Sequence, residues 1–189
     1  MNKILFIDAT NHEDSRTKSL ANHILEKLEG EITRVPLFEL TIPTLTESFL
    51  NWRNGCVEEK NFTDTYFDWA KEFASADTVI IAAPYWDLSF PAVLKQYLEA
   101  ITIVGLTFYY TEEGFPKGLC KAENLFYVTT AGGPIISDDF GFGYVQGLTQ
   151  NMFGVKNAHC FKAENLDIWD ADVEKILSDC KAEIDQYFE

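Results

Sequence analysis

The chain has 189 residues, 47% hydrophobic and 24% charged, with 30 acidic against 15 basic residues and a net charge of −15. That length suits one domain with a full hydrophobic core, and the composition is that of a folded globular protein, not a disordered one. So acidic a surface repels phosphate backbones and anionic lipid heads, which excludes nucleic acid and a membrane as expected partners.

The first predicted element is a strand over Lys3–Asp8, "KILFID", apolar enough to be buried on both faces. The polar stretch "ATNHEDSRTKS" supplies turn and cap residues, and a helix to about Glu29 carries Leu20, Ile24 and Leu28 at spacings of four. "EITRVPL" (Glu31–Leu37) reads as a second, weaker strand, and the stretch 38–61 gives no decisive pattern. A helix over "FTDTYFDWAKEFASA" is expected next, with Thr63 as its cap. "TVIIAAP" (Thr78–Pro84) is the clearest strand, β-branched and stopped by proline.

Pro91 opens a helix bearing Val93, Leu94, Tyr97, Leu98 and Ile101. "GLTFYYTEEGFPKGL" predicts a hairpin or extended loop turning at Gly114. "NLFYVTTAGG" is a fourth buried strand, a helix is expected over Gly143–Phe153, and "VKNAHCFKAENL" is a fifth strand. A last helix, from about Asp170 to Phe188, carries Val173, Ile176, Leu177, Cys180 and Ile184 at helical spacing.

Strands alternating with helices predict a single α/β domain over 1–189 with a five-stranded parallel sheet covered on both faces. Right-handed crossovers leave few topologies, among them the flavodoxin-like order 2-1-3-4-5. Ligands of open α/β sheets bind beyond the carboxyl ends of strands near the switch point. That rule selects the loops after Asp8, Ala83 and Thr130.

In the first loop Ser15, Thr17 and Ser19 offer hydroxyls at a helix mouth, and Arg16 and Lys18 add positive charge. Free helix N–H groups there attract an anion, although a Ser or Thr in this position also serves as a plain cap. The loop has no glycine, so neither the Walker pattern nor GxGxxG is present. The second loop, "APYWDLSFP", puts Tyr85 and Trp86 where they can edge a flat ring, with backbone N–H groups along Trp86–Leu88 for its polar rim. The alternative is a packed surface corner. The third, "TTAGGP", has a glycine pair that lets backbone approach a ligand closely, or makes only a turn. Together the loops describe a site for a flat mononucleotide.

The four cysteines form no CxxC pair, and the three histidines do not fall at metal-ligand spacings with them. No apolar run reaches the roughly 20 residues that cross a bilayer. Without a recognisable leader, the chain reads as cytoplasmic, with reduced thiols.

"KILFIDAT", "SRTKSLA", "VIIAAPYWDLSFPAVLKQYLEAITIVGLTFYYTEEGFPKGL" and "LFYVTTAGGP" resemble the flavodoxin-like NAD(P)H:quinone oxidoreductases, above all the bacterial FMN-dependent NADH azoreductases. The resemblance fades over 37–61 and loosens after Pro134. It implies an FMN site in three segments. Thr10 with Ser15, Arg16 and Thr17 would hold the phosphate; Tyr85, Trp86, Asp87 and Leu88 would lie along the isoalloxazine; Thr130, Ala131, Gly132 and Gly133 would face its N1/O2 side. Asp87 departs from the family, which usually has Asn there.

The resemblance further implies hydride transfer from NADH or NADPH to flavin, then two-electron transfer to a quinone or azo acceptor. It also implies a homodimer, in which Phe108, Tyr109 and Tyr110 either reach a partner's pocket or pack on their own domain. No side chain is needed as nucleophile, and Tyr144 and His159 are the candidate acid or base, with core packing the stronger reading of His159. The alternative reading is a flavodoxin-type electron carrier or FMN-binding module with no substrate of its own.

Overall fold

A computed structural model describes all 189 residues. The elements in chain order are β1 (Lys3–Asp8), α1 (Arg16–Leu25), β2 (Glu31–Pro36), α2 (Glu47–Glu58), α3 (Asp68–Ser75), β3 (Thr78–Ala82) and α4 (Ala92–Ile101). There follow β4 (Phe108–Tyr110), β5 (Pro116–Gly118), β6 (Asn124–Thr130), α5 (Phe142–Leu148), β7 (Asn157–Ala163) and α6 (Val173–Phe188). Five strands form a parallel sheet in the order β2-β1-β3-β6-β7, while β4 and β5 make a separate antiparallel hairpin. Because the hairpin takes two numbers, this is the expected 2-1-3-4-5 order.

Alternation along the strands sends neighbouring residues to opposite faces, and each face builds its own core. Leu5, Ile7, Val79, Ile81, Leu125 and Tyr127 pack under α3, α4 and α5. Ile4, Phe6, Ile80, Phe126, Val128 and Phe161 pack under α1 and α6. β3 is buried at every position because it lies mid-sheet, whereas four of the six residues of the edge strand β2 are exposed. That edge position explains its weak apolar signature.

Several boundaries differ from the sequence expectation. Helix α1 ends at Leu25 instead of near Glu29, and α6, capped by Asp172, begins at Val173 instead of about Asp170. The cap before α3 is not Thr63: Asp64 accepts from the Tyr66 amide at 2.8 Å and starts a 3-10 turn that leads into the helix. Thr63 instead bonds Asn61 Oδ1. The helix expected over Gly143–Phe153 is α5 followed by a π-turn, Thr149–Phe153, closed by Gly154 at φ 84°. The stretch 38–61 contains α2, capped by Thr46 and without one buried residue.

Candidate functional site

The carboxyl ends of β1, β3 and β6 stop at Asp8, Ala82 and Thr130, so the loops selected from the sequence emerge side by side. The Tyr85 amide donates to the Thr130 carbonyl at 3.0 Å, tying the second loop to the third. The Thr17 and Thr130 hydroxyls lie 2.7 Å apart and tie the first to the third. Thr17 is fully buried and Thr130 half-buried, so the contact is a fixed part of the fold.

The first loop ends in a capped helix. The Ser15 hydroxyl accepts from the Lys18 amide, and the Ser15 carbonyl from the Ser19 amide. The amides of Arg16 and Thr17 bond nothing within the chain, and α1 adds its dipole behind them. Both neighbouring cations are engaged. Lys18 Nζ is 3.3 Å from the buried carboxylate of Asp8, and Arg16 Nη1 is 2.8 Å from Asp167 Oδ1. An anion here is therefore met chiefly by amides and hydroxyls. Thr10 is turned away from that task, since its hydroxyl and amide both donate to Asp8 Oδ1, at 2.6 and 2.9 Å.

The second loop is a tight turn. Trp86 and Ser89 exchange both backbone hydrogen bonds, at 3.0 and 2.8 Å, and the two residues between them have φ of 51° and 69°. Both φ values of a type I′ turn are positive, which Asp and Asn tolerate and Leu resists. Leu88 thus stores backbone strain of about 1–3 kcal/mol, of the sort that collects at ligand-binding loops. The turn accommodates Asp at position 87 as it would Asn, because both fit the left-handed conformation. It also engages the Trp86 amide internally, leaving those of Asp87 and Leu88 free. The two aromatics separate: the Tyr85 hydroxyl is buried, whereas Trp86 is 41% and Leu88 47% exposed. Phe38, just past β2, stands 6.2 Å from Trp86, ring centre to ring centre.

In the third loop the Ala131 amide bonds the Ala163 carbonyl, so it faces the sheet. The amides of Gly132 and Gly133 remain free, and the space where Gly133 would carry a Cβ is open. Gly132 is held differently. A Cβ there would meet Asp167 Oδ2 at 2.5 Å, and the Asp167 amide donates to the Gly132 carbonyl at 2.8 Å. Asp167 thus joins Arg16 of the first loop to Gly132 of the third. Sequence reasoning missed it because β7 is an edge strand away from the switch point; only its place after a strand's carboxyl end pointed to it.

Of the two candidate acid–base residues, Tyr144 stands against the second loop and His159 does not. His159 is half-buried between the rings of Phe161 and Tyr187, at 4.4 and 4.6 Å, on the side of the sheet covered by α6. Tyr144 packs on Phe90 at 5.8 Å. In the hairpin Phe108 is buried while Tyr109 and Tyr110 are exposed.

Free amides from three loops, two hydroxyls, an open glycine and an exposed indole suit a flat ligand with a phosphate tail. The model of a family described as having a flavodoxin-like fold matches residues 2–188. The FMN-dependent NADH:quinone oxidoreductase of Lachnoclostridium phytofermentans is 34% identical over 190 residues, covering 96% of this chain and 95% of its own. That of Coprothermobacter proteolyticus is 33% identical, covering 98% of each chain. Among solved structures, azoreductase from Bacillus anthracis str. Sterne superposes with a TM-score of 0.83 at 24% identity, over 100% of this chain and 99% of that one. An FMN-dependent NADH-azoreductase from Bacillus anthracis str. Ames Ancestor, solved in complex with FMN, superposes with a TM-score of 0.81 at 24% identity, over 100% and 98%. These structures share the fold, and the sequence relatives narrow the kinship: the chain belongs to the flavodoxin-like family that contains the FMN-dependent NADH:quinone oxidoreductases.

Proposed function

We propose that this protein is an FMN-dependent oxidoreductase that takes two electrons from NADH and passes them to a quinone or azo acceptor. The observation that carries the reading is the set of unengaged amides converging from three loops at one sheet edge: Arg16 and Thr17, Asp87 and Leu88, Gly132 and Gly133. Curated relatives at 33–34% identity carry that activity in their names.

When bound, FMN supplies the hydride acceptance and the two-electron transfer. The chain's own residues do the rest. The Arg16 and Thr17 amides with the Ser15 and Thr17 hydroxyls hold the phosphate, and the positive end of α1 offsets its charge. Thr10 supports them through Asp8. Trp86 and Leu88 wall the ring and keep water from one side, while the strained 86–89 turn fixes the Asp87 and Leu88 amides at its polar rim. Gly132 and Gly133 would turn their free N–H dipoles toward the bound group and favour negative charge on it.

The same reading takes the chain as one domain that works as a homodimer in the cytoplasm. Phe38, Trp86, Leu88, Tyr109 and Tyr110 are exposed aromatic and apolar residues of the sort that a second copy covers. All four cysteines are free thiols, which suits a reducing compartment, and no helix is long and apolar enough to cross a membrane. FMN titration by flavin fluorescence, followed by NADH oxidation with benzoquinone, tests the proposal. Stoichiometric uptake with quinone-dependent turnover supports it, and failure to bind FMN ends it.

A further inference from the structure

A second concave surface lies away from the three loops and shares no residue with them. It is a cleft of about 650 Å³ between the 41–52 segment and the outer face of α3, within the size range of small-molecule sites. Its walls are aromatic. Phe49 packs on Trp52 at 5.0 Å and on Tyr66 at 4.9 Å, and Tyr66 meets Trp69 at 6.3 Å, all between ring centres. Trp52 is 39% exposed although it sits in this cluster, so part of its indole is open to a ligand.

The polar lining has one sign. Asp64, Asp68 and Glu72 line the cleft, and no lysine or arginine does. Asp64 and Asp68 are partly committed, to the Tyr66 amide and to Lys71 Nζ, each at 2.8 Å. Glu72 has no ion-pair partner, and it lies one helical turn from Asp68, where like charges repel. Burial, and then Asp68, push its carboxyl above the usual range, so a cation beside it relieves both costs. Arg53 acts near Tyr66 in the same neighbourhood but is not part of the lining.

Electron-rich ring faces next to an unpaired carboxylate recognise an organic ammonium, which gains from both and loses little hydration. An inorganic cation would leave the rings unused, and an anion would meet three carboxylates. We propose that this α2–α3 cleft is a binding site for an amphipathic organic cation, held against Trp52 and Trp69, which buried Tyr66 braces from below, with its charge toward Glu72 and Asp68.

The four tryptophans allow a direct test, because Trp52 and Trp69 line the cleft while Trp86 and Trp169 lie elsewhere. Indole N–H signals of the ¹⁵N-labelled, FMN-loaded protein are followed by NMR and assigned with W52F, W86F and W169F. The probe is benzyltrimethylammonium, and benzyl alcohol is the neutral control. Saturable shifts of the Trp52 and Trp69 signals are expected, with affinity about tenfold above that of the alcohol and falling with added salt. E72Q should weaken the cation about tenfold and leave the alcohol unchanged; D68N gives the same direction if E72Q does not fold. Equal binding of cation and alcohol overturns the proposal. So do shifts confined to Trp86, and cleft signals that stay fixed because a second copy covers them.

Discussion

Replacing Thr17 by Val keeps the shape of a fully buried side chain and removes one hydroxyl. That hydroxyl is 2.7 Å from the Thr130 hydroxyl and belongs to the residue whose amide is free at the mouth of α1. Two separate losses follow. Without ligand, one hydrogen bond is gone and half-buried Thr130 recovers part of it from water, so the fold loses about 1 kcal/mol. A double-mutant cycle with Thr130→Val should return most of that as coupling, about 0.5–1 kcal/mol. With FMN, the lost contact is charge-assisted, worth roughly 1.5–3 kcal/mol, and affinity falls about tenfold to hundredfold. Urea unfolding of the flavin-free protein reads the first loss and an FMN titration the second. Thr17→Ser, which keeps the hydroxyl, should retain most of the affinity. FMN affinity unchanged in T17V, or zero coupling to Thr130, would refute this assignment of the phosphate segment.

Asp87→Asn should leave urea stability within about 0.5 kcal/mol, since both residues accept positive φ, while Asp87→Val should cost about 1–3 kcal/mol. In the FMN-loaded protein Asn should also raise the flavin's potential, because it removes a negative charge beside the ring; redox titration against dyes reads this. Gly118→Ala puts a Cβ 2.1 Å from the Phe153 carbonyl carbon and oxygen, which are backbone and cannot swing aside, so thermal unfolding should reveal a loss of about 3 kcal/mol. Burial pushes the thiols of Cys120 and Cys160 up to about 12 and that of Cys180 to about 11. All three stay neutral in the fold while the unfolded chain ionises them, so stability is intact below about pH 8 and falls as pH rises through the ordinary thiol value of about 8.5. Urea midpoints from pH 7 to 10 check this; a flat profile would contradict it.

The fold was legible where burial is two-sided. β1, β3 and β6 announce themselves as apolar runs because helices cover both faces, and the chirality of crossovers leaves their observed order as one of a few. Helix α2 was not legible: none of its residues is buried, and Phe49, Cys56 and Val57 only lean on the core. The cap of the 3-10 turn leading into α3 was missed by one residue because Thr63 and Asp64 are both good caps, and the choice depends on which amide each can reach.

At the site, residue types and loops were visible, but their division of labour was not. Nothing local to Thr10 says that Asp8 engages its hydroxyl, nor does Trp86 reveal that its amide closes a turn. Asp167 reaches Arg16 across 151 positions, a contact that only the packed fold makes. The departure at Asp87 looked chemical from the sequence. The backbone shows that Asp and Asn both suit the left-handed turn there.

The central claim is tested most directly by mixing FMN-loaded protein with NADH anaerobically in a stopped-flow instrument. The account predicts that visible flavin absorbance bleaches at a rate that saturates with NADH and returns on adding benzoquinone. A protein that binds FMN but is not reduced directly by NADH would be a carrier, and would contradict the account.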